Sequence, residues 1–170
     1  MIILLDEYDT PMYNDFIKAL LADDIKAMNI YMNKVAMNTF SYFDTSKNPS
    51  KEEPERFYHG FVLGLMVELA DRYLITSNRE SGFGRYDLVL KPRKQSNGTA
   101  VNDAIIIEFK VQEQEERDLS DTVQDALRQI GTRKYGTALE AKGIPRERIR
   151  MYGFAFCGKK VLIGSANGSA

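Results

Sequence analysis

From Asn14 to Phe43 apolar residues return at three- and four-residue steps, through Phe16, Leu20, Leu21, Ile25, Met28, Tyr31, Met32, Val35, Met37 and Phe40. That spacing predicts amphipathic helix. Asp23 and Asp24 precede Ile25 and suit an N-cap, so two helices with a break near residue 23 are expected. The methionine stripe, Met28, Met32 and Met37, is read as core packing. Residues 44–51, with Thr, Ser, Asn and Pro, form a loop. Pro54 then opens a helix running to about residue 72, proline being favoured in a first turn. Its apolar face is Phe57, Tyr58, Phe61, Val62, Leu65, Met66 and Leu69, and Gly60 and Gly64 on it are expected to admit a close neighbour.

Beyond residue 72 the period falls toward two. Residues 73–77, 86–91 and 104–111 are predicted strands, with a charged, glycine-containing turn over 78–85 and a polar loop around Pro92 to Gly98. A helix follows from about Ser120, read as its N-cap, to Ala141, with Val123, Ala126, Leu127, Ile130, Tyr135 and Leu139 inward and Gly143 as its stop. Residues 151–156 and 160–163 are strands joined by a tight Cys157-Gly158-Lys159 turn, and residues 164–170 are a small, polar tail. Helices, three strands, a helix and two strands imply a mixed sheet covered by helices.

The chain's 170 residues, 44% apolar and 28% charged, suffice for one ordinary core. A net charge of −1 exerts no global pull on nucleic acid, so any basic footprint must be local. The single cysteine, Cys157, excludes an internal disulfide and suits a reducing compartment. No apolar run nears the roughly 20 residues of a membrane span, so a soluble, cytoplasmic protein is expected.

Chemistry concentrates between Gly82 and Val111. The predicted strand at 86–91 carries Asp87 near its start, and Glu108 and Lys110 stand two apart on the next strand, on the face opposite Ile107 and Phe109. Charges on so apolar a strand are costly unless they serve one another or a ligand. Two carboxylates make a hard oxygen site suited to Mg²⁺ or Mn²⁺ rather than zinc. A lysine beside them can stabilise negative charge developing during phosphodiester hydrolysis. The plainer alternative is a structural Glu–Lys pair at a strand end. His59, the one histidine, lies beside an apolar helix face with Glu55 one turn before it, where a structural role is the commoner outcome. At the start, Ile2 to Leu5 followed by Asp6 and Glu7 has the form of a Walker B strand, yet no G-x-x-x-x-G-K-[ST] accompanies it.

Asp87 with Glu108-x-Lys110 resembles the PD-(D/E)XK nuclease superfamily, and Gln129 and Tyr135 on the following helix resemble the Q-x(n)-Y element of its RecB-like branch. In that branch a helix histidine joins the metal site, which implies His59 with Asp87 and Glu108 as metal ligands, Glu55 or Glu68 being alternative helix acids. A closer similarity is to bacterial and archaeal proteins that join an AAA-ATPase-like domain to a C-terminal PD-(D/E)XK domain. It is carried by Glu55 to Phe61, Ser77 to Asp87, Ile106 to Lys110 and Gly153 to Val161. The resemblance implies an α/β fold, a restriction-endonuclease-like three-layer α/β/α core with a mixed sheet preceded by N-terminal helices. It implies residues 1–13 as a Walker-B-like remnant, 14–163 as the nuclease-like domain and 164–170 as tail, with the ATPase part largely missing. Catalytic roles then fall on Asp87, Glu108, Lys110, Gln129 and Tyr135, and phosphate contacts on Arg79 and Arg85. The implied cofactor is Mg²⁺ or Mn²⁺, and the implied partners are nucleic acid, DNA before RNA, and a separate ATPase domain or a second copy of the chain. The rival reading keeps the fold without the chemistry, as an inactive nucleic-acid or protein interaction module.

Overall fold

The structure is a computed structural model that describes residues 10–39, 52–80, 85–94, 102–113, 117–132 and 135–166. Asp6 and Glu7, the loop at 44–51 and the glycines at 82 and 84 lie outside the described residues. Helices α1 (Thr10–Leu21), α2 (Ile25–Thr39) and α3 (Glu52–Met66) precede strands β1 (Tyr73–Glu80), β2 (Arg85–Pro92) and β3 (Ala104–Val111). Helices α4 (Leu119–Thr132) and α5 (Tyr135–Glu140) then lead to β4 (Ile149–Cys157) and β5 (Lys160–Ser165). The predicted break at residue 23 is there. Asp23 takes a left-handed φ of 56°, the usual conformation just past a helix end, and Asp24 Oδ1 accepts the Ala27 N–H at 2.9 Å to cap α2.

The sheet runs β1-β2-β3-β4-β5, with β3 and β4 parallel and every other neighbouring pair antiparallel. Alternation along β3 divides the interior in two. Ile105, Ile107 and Phe109 join Leu88, Leu90, Tyr152, Phe154 and Phe156 in a large core under α1, α2 and α3. Ala104 and Ile106 join Ile130, Leu139, Ile144 and Ile149 under α4 and α5. The architecture is therefore the expected α/β one, a five-stranded mixed sheet with helices on both faces. The larger core is an aromatic wall, with Tyr58 stacked on Phe156 at 3.6 Å and Phe109 at 5.4 Å from Phe154 between ring centroids.

Side-chain bonds tie the N-terminal helices to the sheet. On α2, Asn29 and Asn33 pair with the main chain of β5, the edge strand. Arg150 of β4 donates to the Leu21 and Leu20 carbonyls at the end of α1, at 3.0 and 3.3 Å, and to Asp103 at 2.8 Å. Tyr152 Oη donates to Asp23 Oδ1 at 2.5 Å.

Several elements depart from expectation. The third helix ends at Met66 in a 3₁₀ turn over Val67–Leu69, which lets Leu69 and Tyr73 both reach the core. Residues 78–80, expected in a turn, continue β1 because β2 supplies a partner as far as Arg85. The long helix predicted from Ser120 to Ala141 is two helices, and Thr132 Oγ1 bonds back to the Gln129 carbonyl at 2.9 Å where the first ends. Its cap is Asp118 rather than Ser120: Asp118 Oδ1 accepts the Ser120 N–H at 2.8 Å and the Asp121 N–H at 3.3 Å. Met28 and Met32 are core, but Met37 is 64% exposed. A Cβ at Gly60 or Gly64 would meet nothing within 4 Å, so close approach is not their role.

Candidate metal and nucleic-acid site

The register builds the site. Asn78, Asp87, Glu108, Gly153 and Gly164 occupy matching positions on five successive strands. Asp87 and Glu108, directly opposite on antiparallel strands, share one face with Cβ atoms about 4.5–5.5 Å apart. The glycine half of this row is where α4 rests. A Cβ on Gly153 would come to 2.8 Å from the Val123 carbonyl oxygen and 3.1 Å from Ala126 Cβ, and one on Gly164 to 2.7 Å from Val123 Cγ1. The acidic half lies on the same face, beside that helix. Asp87 is 0% exposed and Glu108 1% exposed.

Two buried carboxylates this close repel one another, and a bound cation would relieve that repulsion. Their oxygens are the hard donors that Mg²⁺ and Mn²⁺ prefer, so the residues fit a divalent ion. Lys110 follows Glu108 by two positions on the same face. Its ammonium lies 2.9 Å from Asp125 Oδ2, and Asp125 is also ion-paired with Arg128, three residues further along α4. Sequence pattern alone does not mark Asp125. Its only signal is its place on the flank of α4, one turn before Gln129.

His59 stands on the other side of the sheet. Its ring packs edge-on against Phe109, with centroids 5.6 Å apart, and Nε2 is 2.9 Å from Ser77 Oγ. Phe109 faces away from Glu108 by strand alternation, so His59 meets Asp87 through the Asp87 main chain, to which the ring is hydrogen-bonded. Burial lowers the imidazole pKa below 6.5, against the opposing influence of the Asp87 charge and main-chain bond.

Gln129 is half-buried on α4, four residues beyond Asp125. Tyr135 is half-buried too and packs against the smaller core, whose Ile106 precedes Glu108 by two positions on one face. Glu68 is exposed on the 3₁₀ turn. Arg79 is in register with Tyr86, and Arg85 with Glu80; the side chains of both arginines and of Glu55 lie outside the described residues. Among the described residues no group of three or more His, Cys, Asp or Glu is clustered for a metal, and no helix is long and apolar enough to cross a membrane.

An acid on one central strand, Glu-x-Lys on its neighbour and helices on both faces define a PD-(D/E)XK type of core. Residues 53–166 match the PD-(D/E)XK nuclease superfamily, and the chain belongs to that superfamily. The match covers α3 through β5 and leaves α1 and α2 outside it. No curated protein gives a significant match to the chain.

Proposed function

We propose that this domain is a divalent-metal-dependent nuclease that hydrolyses phosphodiester bonds in nucleic acid. The observation that supports it most directly is the register pairing of buried Asp87 and Glu108 with Lys110 beside them. Asp87 and Glu108 would hold the ion, and a bound Mg²⁺ or Mn²⁺ would supply Lewis-acid charge for hydrolysis of a phosphodiester. Lys110 carries a positive charge toward the place where the phosphate gains negative charge, and assists in orienting water. His59 steadies the Asp87 main chain from the opposite face, and Gln129 and Tyr135 support the site from α4 and α5. Arg79 and Arg85, at the end of β1 and the start of β2, are the phosphate contacts that a chain of net charge −1 needs locally. The resemblance of the sequence to ATPase-linked nuclease-like proteins favours DNA as substrate and an ATPase, or a second copy, as partner.

The test is cleavage of plasmid and single-stranded DNA with Mg²⁺ or Mn²⁺ by wild type, Glu108→Ala and Lys110→Ala. Loss of 10²-fold or more in both variants is expected, about the value of one electrostatic group at a transition state. Equal rates in all three proteins would sink the assignment and leave an interaction module of the same fold.

A further inference from the structure

Lys110 lies between two sources of negative charge. On its own face stand Glu108, two positions back, and Asp87, in register with Glu108. On α4 stands Asp125, whose Oδ2 lies 2.9 Å from the Lys110 ammonium. Asp125 is tethered in turn by Arg128 from its own helix. The Lys110 side chain is 16% exposed and that of Asp125 is 28% exposed, so solvent screens the contact only partly. A lysine is a compact charge on a flexible stem and settles where attraction is greatest. Drawn wholly toward Asp87 and Glu108, its ammonium takes the position that a divalent cation requires and neutralises the charge that attracts one.

We propose that Asp125 is a positioning residue: its carboxylate retains Lys110 on the α4 side, so that the ammonium does not compete with a divalent cation for Asp87 and Glu108. The inference rests on the metal-dependent reading above and adds to it a residue outside the Asp, Glu-x-Lys, Gln and Tyr pattern. The docking of α4 on Gly153 and Gly164 sets where Asp125 stands, so the helix bears on Lys110 through the Lys110–Asp125 ion pair. Outer partners of this kind alter metal affinity without touching the metal.

The experiment is a titration of the full chain with Mn²⁺ alone, by calorimetry or electron paramagnetic resonance. It compares wild type, Asp125→Asn, Asp125→Glu, Lys110→Met and the Asp125→Asn/Lys110→Met double variant, each checked for folding by a thermal melt. Asp125→Asn is expected to bind Mn²⁺ about tenfold more weakly, the low end for a lost outer partner. Asp125→Glu restores most of the affinity, and the double variant binds as tightly as Lys110→Met alone, because the competing ammonium is gone. Wild-type affinity in Asp125→Asn overturns the proposal, as does a tenfold loss that persists in the Lys110→Met background. A wild-type chain that takes up no Mn²⁺ removes the metal-dependent reading and this proposal together, whereas uptake that ignores Asp125 removes the proposal alone.

Discussion

Asn33 treats Val161 as a neighbouring strand would. Its Nδ2 donates to the Val161 carbonyl at 2.7 Å and its Oδ1 accepts the Val161 N–H at 2.9 Å. One turn earlier Asn29 does the same at Ile163, at 2.9 and 2.8 Å. The spacing works because four helical residues rise about 6 Å, close to the roughly 6.8 Å of two strand residues. Two amides on one helix face thus close the open edge of β5, which would otherwise offer unpaired main-chain groups to another chain. Asn33→Asp keeps the shape but sets a carboxylate against the Val161 carbonyl. It is expected to lower stability by about 1–3 kcal/mol in urea unfolding and to promote self-association in sedimentation. An unchanged midpoint would mean that apolar contacts alone hold α2 there.

Asp103 is clamped by two guanidinium groups, Arg148 Nε at 2.7 Å and Arg150 Nε at 2.8 Å. Burial works against its charged form, but the Arg148 and Arg150 bonds prevail and hold its carboxyl below the ordinary 3.8. With the folded value lower, the unfolded chain binds more protons. The contribution is therefore complete above about pH 3.8 and is lost as pH falls through the folded value. Asp103→Asn should cost roughly 1–2 kcal/mol at pH 7. The gap from wild type should narrow below pH 4 in chemical unfolding run at several pH values, and a gap of constant size would contradict the linkage.

Gly153 meets its constraint through main chain rather than a movable side chain, since the Val123 carbonyl oxygen lies 2.8 Å from where a Cβ would stand. Gly153→Ala must lift α4 and should cost about 1–3 kcal/mol. The same lift shifts Asp125 relative to Lys110, so Mn²⁺ uptake should weaken along with the melting temperature. Gly164 faces Val123 Cγ1 at 2.7 Å, a buried β-branched side chain held to one rotamer in its helix, so Gly164→Ala should carry a cost of the same order.

Glu108→Gln removes one of two like charges buried side by side. In the presence of chelator it is expected to raise stability at pH 7 by about 1 kcal/mol or more. In wild type, Mn²⁺ at a hundred times its dissociation constant should add about 2.7 kcal/mol, an increment that Glu108→Gln loses. Thermal melts with and without Mn²⁺ read both effects, and a Glu108→Gln protein still stabilised by the ion would place the ion elsewhere.

Helix and strand order could be read from the chain because the periods are strong, and the Asp87, Glu108 and Lys110 constellation because alternation on β3 is unambiguous. What escaped reading depends on contacts distant in sequence. Asn29 and Asn33 look like ordinary polar helix positions until β5, more than 120 residues later, comes to lie beside them. Gly153 and Gly164 lie in strands, where nothing local announces a helix overhead. Asp125 is one acid among many until α4 is docked. The family resemblance implies His59 as a metal ligand with Asp87 and Glu108, whereas the sheet stands between its ring and their side chains and the ring reaches Asp87 through the main chain. Position favours Ser120 as a cap, yet Asp118, two residues earlier, accepts the Ser120 and Asp121 main-chain donors.

The sheet has unequal backing. Behind it, Phe16, Tyr58, Phe109, Phe154 and Phe156 fill the space under three helices with interlocked rings. In front, α4 and the short α5 rest on a smaller core. Close-packed interiors compress little, so the strands carrying Asp87 and Glu108 behave as a stiff floor.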